Sequence, residues 1–134
     1  MASAVYKFAK CLDGAPIPEL LTGTAGGAIT AGAPLVFSSG SLVEATGGAD
    51  TGAVVGVATA AAASSATVTF VPTLPNVLFR TSDVSAAITR GVKYGLTATT
   101  LTVAQGDTTN VRLKCIEGAN AEGEYGIVFL GWLA

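Results

Sequence analysis

Apolar residues in this chain fall into short runs, and each run is bounded by residues that favour turns. In the first half the runs lie at Pro34–Phe37, Leu42–Glu44, Ala53–Thr59 and Ala66–Val71. In the second half they lie at Val92–Leu96, Leu101–Val103, Val111–Glu117 and Tyr125–Leu130. Turn signals recur roughly every 8–12 residues, which is typical of all-β sandwiches and barrels. The pattern predicts strands rather than helices.

The two halves repeat each other at an offset of 59 residues. Ala28–Gly32 (Ala-Ile-Thr-Ala-Gly) aligns without a gap with Ala87–Gly91 (Ala-Ile-Thr-Arg-Gly). The same offset superposes Leu42 on Leu101, Ala45 on Ala104, Gly47 on Gly106, Val54–Val57 on Leu113–Ile116, and Val68–Val71 on Ile127–Leu130. Because strand, turn and strand agree in order over about 45 residues, we predict an internal duplication.

The duplication predicts one all-β domain, a β-barrel or β-sandwich built from two similar three-stranded units. A chain of 134 residues is of single-domain size. We assign 1–19 to an N-terminal arm, 20–72 to the first repeat, 73–85 to a linking segment and 86–134 to the second repeat. Prolines interrupt strand pairing in the link, and Val77–Thr81 is a candidate strand that opens the second copy.

Two low-complexity stretches are predicted to be loops. Thr59–Ser64 favours a helix by its alanines, but its counterpart Gly118–Gly123 is rich in turn residues, so we expect a loop in both copies. Gly23–Gly27 has the glycines of a phosphate-binding loop but not the strand-to-helix setting. We expect it to be a flexible connector.

Small residues dominate the composition. Half of the residues are apolar, 12% are charged and 17 are glycine, which suits short strands joined by sharp turns. The formal net charge is −2, so the chain lacks the excess of basic residues that is typical of nucleic-acid-binding proteins. Free monomers usually carry more charge, so the low charge and the mean hydropathy of +0.59 favour a surface that a partner covers.

Cys11 and Cys115 are the only cysteines. Two buried thiols are the favoured interpretation, because cysteine often packs as a small hydrophobe, and a single disulfide between them stays open. The N-terminus lacks the apolar region of a signal peptide. The longest apolar runs, Gly52–Ala63 and Gly126–Ala134, are shorter than the ~20 residues that span a bilayer. We therefore expect a soluble intracellular product with no membrane partner.

The residue types and motifs of common catalytic sites are missing. The chain has no histidine, which removes the usual general base and the commonest metal ligand. Glu122 and Glu124, with Asp107 and Asn110, could supply some of the oxygens that calcium needs, but solvated turn carboxylates are the favoured interpretation. Cys115 has no base to activate it as a nucleophile. We predict a non-enzyme with no catalytic residue, no cofactor, no metal and no small-molecule substrate.

The N-terminal arm is the main candidate for contact with a partner. Tyr6 and Phe8 could anchor in a partner's pocket, where aromatic side chains contribute strongly, and Lys7 and Lys10 could meet acidic groups. The alternative is an ordinary first strand of the barrel. Trp132 is the other candidate contact, and a core position is its alternative. If the arm docks, deletion of residues 2–10 should abolish partner binding and leave the barrel folded.

Three segments of the first copy carry a resemblance to a known family. Gly27–Val36 (Gly-Ala-Ile-Thr-Ala-Gly-Ala-Pro-Leu-Val), Val54–Ala58 (Val-Val-Gly-Val-Ala) and Val68–Val71 (Val-Thr-Phe-Val) look like the repeated pattern of small capsid decoration, or cement, proteins of tailed phages. A second copy of the turn follows a linking strand in that family, as Ala87–Gly91 follows Leu78-Phe79-Arg80 here. Lys114–Glu117 departs from the pattern at the position that offset 59 gives to Val55–Ala58.

The resemblance implies a structural virion protein made in the host bacterial cytoplasm. Such a protein forms a homotrimer, binds the major capsid protein on the outer surface of the expanded icosahedral head, and clamps neighbouring coat subunits. Two other classes stay open. One is a different virion component, such as a tail-tube or head-completion subunit. The other is a β-sandwich module that binds carbohydrate or a host surface, for which nine scattered aromatic residues (five Phe, three Tyr, one Trp) give little support.

Overall fold

The computed structural model describes residues 4–50 and 52–130, and these residues form short strands joined by turns and loops. There is no helix among them, and so none that could cross a membrane. The strands in chain order are β1 (Lys7–Cys11), β2 (Leu21–Thr24), β3 (Pro34–Ser38), β4 (Ser41–Glu44), β5 (Gly56–Ala58), β6 (Thr67–Pro72), β7 (Val77–Thr81), β8 (Lys93–Leu96), β9 (Val103–Ala104), β10 (Leu113–Glu117) and β11 (Tyr125–Phe129). The predicted all-β fold is confirmed.

The strand order within the two sheets follows the duplication. One sheet has the order β2-β6-β5-β3-β4, and the other has the order β1-β7-β11-β10-β8-β9. Apart from β1, the second order is the first with each strand replaced by its counterpart in the other copy. Each unit therefore has five strands, and the expectation of three was wrong. Leu21–Thr24 and Val77–Thr81 are the matching first strands of the two units. The candidate strand at Val77–Thr81 is confirmed, whereas the strand at Leu21–Thr24 was not predicted.

Each five-stranded sheet closes on itself into a small barrel. In the first copy a parallel bridge joins Ala25, just after β2, to Leu42 in β4, so the two edge strands meet. In the second copy a parallel bridge joins Val84, just after β7, to Val103 in β9. Closure removes exposed sheet edges. The fold is thus two barrels in tandem, with β1 added to the outside of β7.

The repeated Thr-x-Gly turn has the same geometry in both copies. Gly32 and Gly91 have φ angles of 79° and 89°, a conformation that favours glycine. The Gly32 N–H donates to the carbonyl of Ala58 at 2.8 Å, and the Gly91 N–H donates to the carbonyl of Cys115 at 2.7 Å. The turn predicted from Ala28–Gly32 is therefore bonded to β5 in the first barrel, and its copy is bonded to β10 in the second.

The gapless alignment of the two copies is wrong in its details. Because Gly32 and Gly91 contact Ala58 and Cys115, the position of Ala58 is taken by Cys115, two residues earlier than the offset of 59 predicts. The hairpin between β8 and β9 is two residues longer, so Val103 rather than Leu101 takes the bridging position of Leu42. Small insertions and deletions in loops shift the register of the later strands.

The interior of the first barrel is small and depends on glycine. Gly56 pairs with Leu35, and a Cβ at Gly56 would lie 2.1 Å from the Phe70 ring. Gly23, on the neighbouring side, would place a Cβ 2.6 Å from Leu42. Gly23 is therefore part of a closely packed strand, and its expected role in a flexible connector was wrong. The buried residues of this barrel are Ala25, Ile29, Leu35, Leu42, Val55, Ala58, Val68 and Phe70.

The second barrel holds the larger core and joins the two copies. Its cluster includes Tyr6 from the N-terminal segment and Val57 and Val71 from the outer face of the first barrel. The loop after β4 also reaches it, because Nη1 of buried Arg112 donates to the carbonyls of Thr46 at 2.7 Å and Asp50 at 2.9 Å. The two barrels are therefore held by packing and by one buried cation.

Two other sequence expectations are confirmed. The alanine tract is a loop, and Ala62 within it exchanges two backbone hydrogen bonds with Ile29. Cys11 and Cys115 are both buried and free, as the favoured interpretation had it. Burial raises the pKa of the Cys115 thiol, which keeps it protonated.

Gly56→Ala should destabilise the protein by about 1–3 kcal/mol, because the added methyl overlaps the Phe70 ring inside a barrel that has no room to expand. Urea unfolding at neutral pH measures the change. Gly27→Ala is the matched control, since no atom lies within 4 Å of its Cβ position, and we expect it to be within about 0.5 kcal/mol of wild type. Equal stability of the two variants would contradict this packing.

Candidate interaction surface

The acidic residues of the second copy form turns rather than a metal site. The Asp107 carboxylate accepts backbone hydrogen bonds from Asn110 at 2.9 Å and Thr109 at 3.1 Å, and these bonds hold the pKa of Asp107 below its usual value. Across 4–50 and 52–130, no three His, Cys, Asp or Glu side chains come together to hold a metal ion. The calcium alternative therefore finds no cluster in the described residues.

Tyr6, predicted as an anchor for a partner, is buried inside its own chain. Its side chain is 1% exposed, its hydroxyl donates to the carbonyl of Leu101 at 2.7 Å, and its ring lies edge-on to Phe129 with centroids 5.3 Å apart. Phe8 is half-buried and packs against the same core. Tyr6 is therefore inaccessible to a neighbouring chain in this fold, because the core of the second barrel encloses it.

The two lysines of the arm pair with carboxylates of the second barrel. Lys7 Nζ lies 2.5 Å from Glu124, and Lys10 Nζ lies 3.2 Å from Glu117, which also pairs with Arg80 at 2.6 Å. The hydrogen bond from Lys10, followed by the charge of Arg80, holds the pKa of Glu117 below its usual value. The acidic groups that these lysines meet are therefore intramolecular.

The N-terminal arm is thus a strand of the folded barrel. Lys7 to Cys11 pair with β7, and Ala4 is buried with its N–H bonded to the carbonyl of Thr100. Deletion of residues 2–10 would remove part of the core, so the expectation that it leaves the barrel folded was wrong. Trp132 lies outside the described residues, and its role as a contact stays a prediction.

The exposed large apolar residues of the described chain lie within its first 37 residues. They are Val5, Leu12, Ile17, Leu20, Leu21 and Phe37. Most belong to, or flank, the extended segment 12–20 that connects β1 to β2, which we call the strap. Pro16 and Pro18 keep the strap from pairing as a regular strand. Clustered exposed apolar residues mark interaction sites more often than isolated ones do.

Phe37 projects from the tip of the first barrel. It is 55% exposed and precedes a two-residue turn at Ser39-Gly40, where both φ angles are positive. The parallel bridge between Ala25 and Leu42 runs β2 alongside β4, so this turn lies at the same end of the barrel as Leu21. We call Leu21, Phe37 and the turn the apolar tip.

Charge is distributed very unevenly between the two barrels. Residues 20–72 contain no lysine or arginine and only two carboxylates. Glu44 accepts a hydrogen bond from the N–H of Thr30 at 2.7 Å, and Asp50 accepts bonds from Thr46 and Gly52. Protein surfaces commonly have about a quarter to a third charged residues. The surface of the first barrel is nearly free of charge, whereas the second barrel and β1 carry all seven cations.

Two apolar grooves lie at equivalent places on the two barrels. The first groove, of about 340 Å³, is lined on the barrel side by Val57–Thr59 and Val71, and residues 5–8, Ile17, Ala31 and Gly32 line the rest of it. The second groove, of about 250 Å³, is lined by the counterparts of those positions, Lys114, Ile116 and Val128, together with Leu12, Pro75, Phe129 and Leu130. Residues 5–8 border the first groove, whereas Leu12 and Pro75 border the second.

The low charge of the first barrel could have been predicted from the sequence but was not. The absence of basic residues between Lys10 and Arg80 is visible in the sequence alone, but the low total charge was read only as a property of the whole chain. The ion pairs of Lys7 and Lys10 could not be read, because Glu117 and Glu124 lie more than 100 residues away.

Comparison with models of known protein families and with curated protein sequences finds no match for this chain. The function is therefore inferred from the geometry described above and from the sequence resemblance of the repeated turn.

Tyr6→Phe should destabilise the protein by about 1–2 kcal/mol at neutral pH, because the buried carbonyl of Leu101 loses its donor. Burial, and to a smaller extent the charge of Asp83, raises the pKa of Tyr6 far above its usual value. Above about pH 10 the unfolded chain ionises this hydroxyl and the folded chain does not, so stability that is present below pH 10 is lost as the pH rises. Urea midpoints of the two proteins should therefore converge between about pH 9 and pH 11. A constant difference over that range would contradict the buried hydroxyl.

Proposed function

We propose that this protein is a structural subunit of a tailed-phage virion, which binds the outer surface of the expanded capsid and stabilises it. Its partners are the major capsid protein and further copies of itself in a trimer. The observation that carries the proposal is the uncharged first barrel with its exposed apolar tip. Such a surface is costly to leave in water and is stabilised when a partner covers it.

The architecture suits a mechanical role. The outer face of the first barrel packs into the core of the second, and the buried guanidinium of Arg112 bonds to the loop after β4. The chain can therefore transmit load between its two ends as one body. A ligand that binds only the assembled, expanded shell stabilises that shell by mass action. A trimer adds effective concentration, so several weak contacts act together. No chemical step is needed for this function.

The proposal is tested by incubating the purified protein with two forms of the shell of the phage that encodes it. Co-sedimentation with the expanded shell, absence from the compact precursor shell, and a higher temperature of shell disassembly are the expected results. Equal binding to both forms would remove the expansion requirement, and no binding to either would overturn the proposal.

Phe37→Asp should weaken binding to the expanded shell by about 30-fold, because buried aromatic anchors contribute roughly 2 kcal/mol or more at interfaces. Folding should be unaffected, since Phe37 is 55% exposed in the free chain. Ala119→Asp introduces the same charge in an exposed turn of the second barrel and is the matched control. Unchanged binding of Phe37→Asp, measured by titrating shells, would exclude the apolar tip as the contact.

A further inference from the structure

β2 and β7 occupy the same position in their barrels but differ in what lies beside them. Leu21 in β2 pairs with Phe70 in β6. Phe79 in β7 pairs with the corresponding residue Ile127 in β11, and on its other side it pairs with Phe8 of β1. Phe79 is fully buried, whereas Leu21 is 37% exposed and has no second strand beside it among the described residues. β2 therefore has a free edge where its counterpart carries an added strand.

The free edge precedes the point at which the first barrel closes. Closure occurs where Ala25, just after β2, meets Leu42 in β4. Because that bridge is parallel and β4 begins only at Ser41, residues 21–23 extend past the beginning of β4. Three of the four residues of β2 are exposed, whereas four of the five residues of β7 are buried. The side of β2 away from β6 is therefore open to water.

The ends of the described ranges lie at the second barrel. The N–H of Ala4 donates to the carbonyl of Thr100. Arg112 Nη1 donates to the carbonyl of Asp50, and the N–H of Leu130 donates to the carbonyl of Arg112. These bonds hold the ends of both ranges against the second barrel, whereas β2 belongs to the first.

The backbone of Thr22 faces the free edge. Thr22 lies opposite Thr69 in β6, but the carbonyl of Thr69 accepts from the N–H of Thr59 at 2.9 Å, on the side of β6 away from β2. Neighbouring residues of a strand bond to opposite sides, so the N–H and carbonyl of Thr22 point away from β6. Arg80, the corresponding residue of β7, pairs with Lys7 of β1 on this side. Within 4–50 and 52–130 the exposed Thr22 has no partner for its N–H.

Charge indicates which kind of strand this edge accepts. Glu19, just before β2, is exposed and forms no ion pair among the described residues. No lysine or arginine occurs between Lys10 and Arg80, so pairing with β2 of a second copy would leave this carboxylate without a cation. β1, which fills the corresponding edge of the second barrel, carries Lys7 and Lys10, and each is paired with a carboxylate. The strand that fits therefore combines apolar residues with a cation.

The free edge is continuous with the apolar tip. Leu21 belongs to both, and its neighbour Leu20 is 42% exposed. A partner that covers Phe37 and Leu21 therefore reaches the open side of β2 without crossing a charged surface. Under the proposed function that partner is the coat protein.

We infer that an extended strand of the coat protein adds to β2 in the antiparallel sense, as β1 adds to β7. Its backbone bonds to Thr22, its apolar residues cover Leu20 and Leu21, and a lysine or arginine pairs with Glu19. Main-chain hydrogen bonds give such strand addition its affinity, and side chains at alternate positions give it specificity. This inference rests on the proposed function and names the element of the first barrel that holds the shell.

Hydrogen exchange of single backbone amides tests the inference on the unaltered protein. On expanded shells the amide of Thr22 should exchange at least about 100-fold more slowly than in the free protein, because it gains a strand partner. The amide of Gly23 points to β6 and should be protected in both states. An unchanged Thr22 amide on the shell overturns the inference. So does a Thr22 amide that becomes protected in the free protein as its concentration rises, since a second copy then fills the edge.

Thr22→Pro removes the outward N–H without removing a bond to β6, and should weaken binding to expanded shells at least about tenfold. Ala119→Pro is the matched control, because Ala119 lies in an exposed turn of the second barrel and its N–H has no partner within 4–50 and 52–130. It should bind as wild type does. Urea midpoints of both variants check that a loss of binding does not come from unfolding.

Glu19→Lys tests the ionic contact and leaves the backbone of β2 intact. It should weaken shell binding about tenfold, because it places like charges together at the interface. Glu122→Lys makes the same charge change in an exposed turn of the second barrel and should bind as wild type does. Equal binding of the two variants would overturn the inference.

The two proposals fail separately. Wild-type protein that does not bind expanded shells overturns the proposed function, and this inference with it. Shell binding that is unchanged by Thr22→Pro keeps the proposed function and removes the strand addition.

Discussion

The interior volume of a five-stranded barrel is the constraint on which the structure depends. A ring of so few strands encloses little space, so one large side chain must face a position with no side chain at all. Phe70 packed against Gly56 and Leu42 packed against Gly23 meet this requirement in the first barrel. The abundance of alanine, valine and glycine follows from the same limit, because bulky residues on every inward position would force the ring open.

Divergence between the two copies separates their roles. The second barrel replaces Gly56 with Leu113 at the corresponding position, takes in the Tyr6 ring from outside the repeat, and becomes the common core. Arg112, at the position of Val55, then holds the loop of the first barrel against it. The first barrel keeps a minimal core and an almost uncharged surface. One copy thus provides stability, while the other presents surface to a partner.

The sequence predicts the repeated units better than their registers. Gly32 and Gly91 lie in turns of the same geometry, because a positive φ angle favours glycine. This local requirement can be recognised from the sequence alone. The shift that brings Cys115 to the position of Ala58 cannot be recognised in this way, since it arises from differences in loop length that a gapless comparison does not allow for. Gly23 looks like a connector in sequence because the side chain that requires glycine there, Leu42, belongs to the neighbouring strand β4 and is distant along the chain.

The candidate surface, too, was predictable from the sequence only in part. The apolar and polar alternation around Tyr6 was recognised, but alternation alone does not say which face meets the core and which meets a partner. Tyr6 faces the core because the second barrel leaves a site between Leu101 and Phe129 that an aromatic ring with a hydroxyl fills. The exposed strap carries no periodic pattern, so its unpaired state became visible only once the strands on either side were placed.

The central claim is that the first barrel meets a partner while the turns of the second face water. Hydrogen exchange of the backbone amides, compared between the free protein and the protein bound to expanded shells, tests it most directly. The account predicts strong added protection at the turn of residues 38–41 and none at the turn of residues 118–123. Added protection confined to residues 118–123, or equal at both turns, would contradict it.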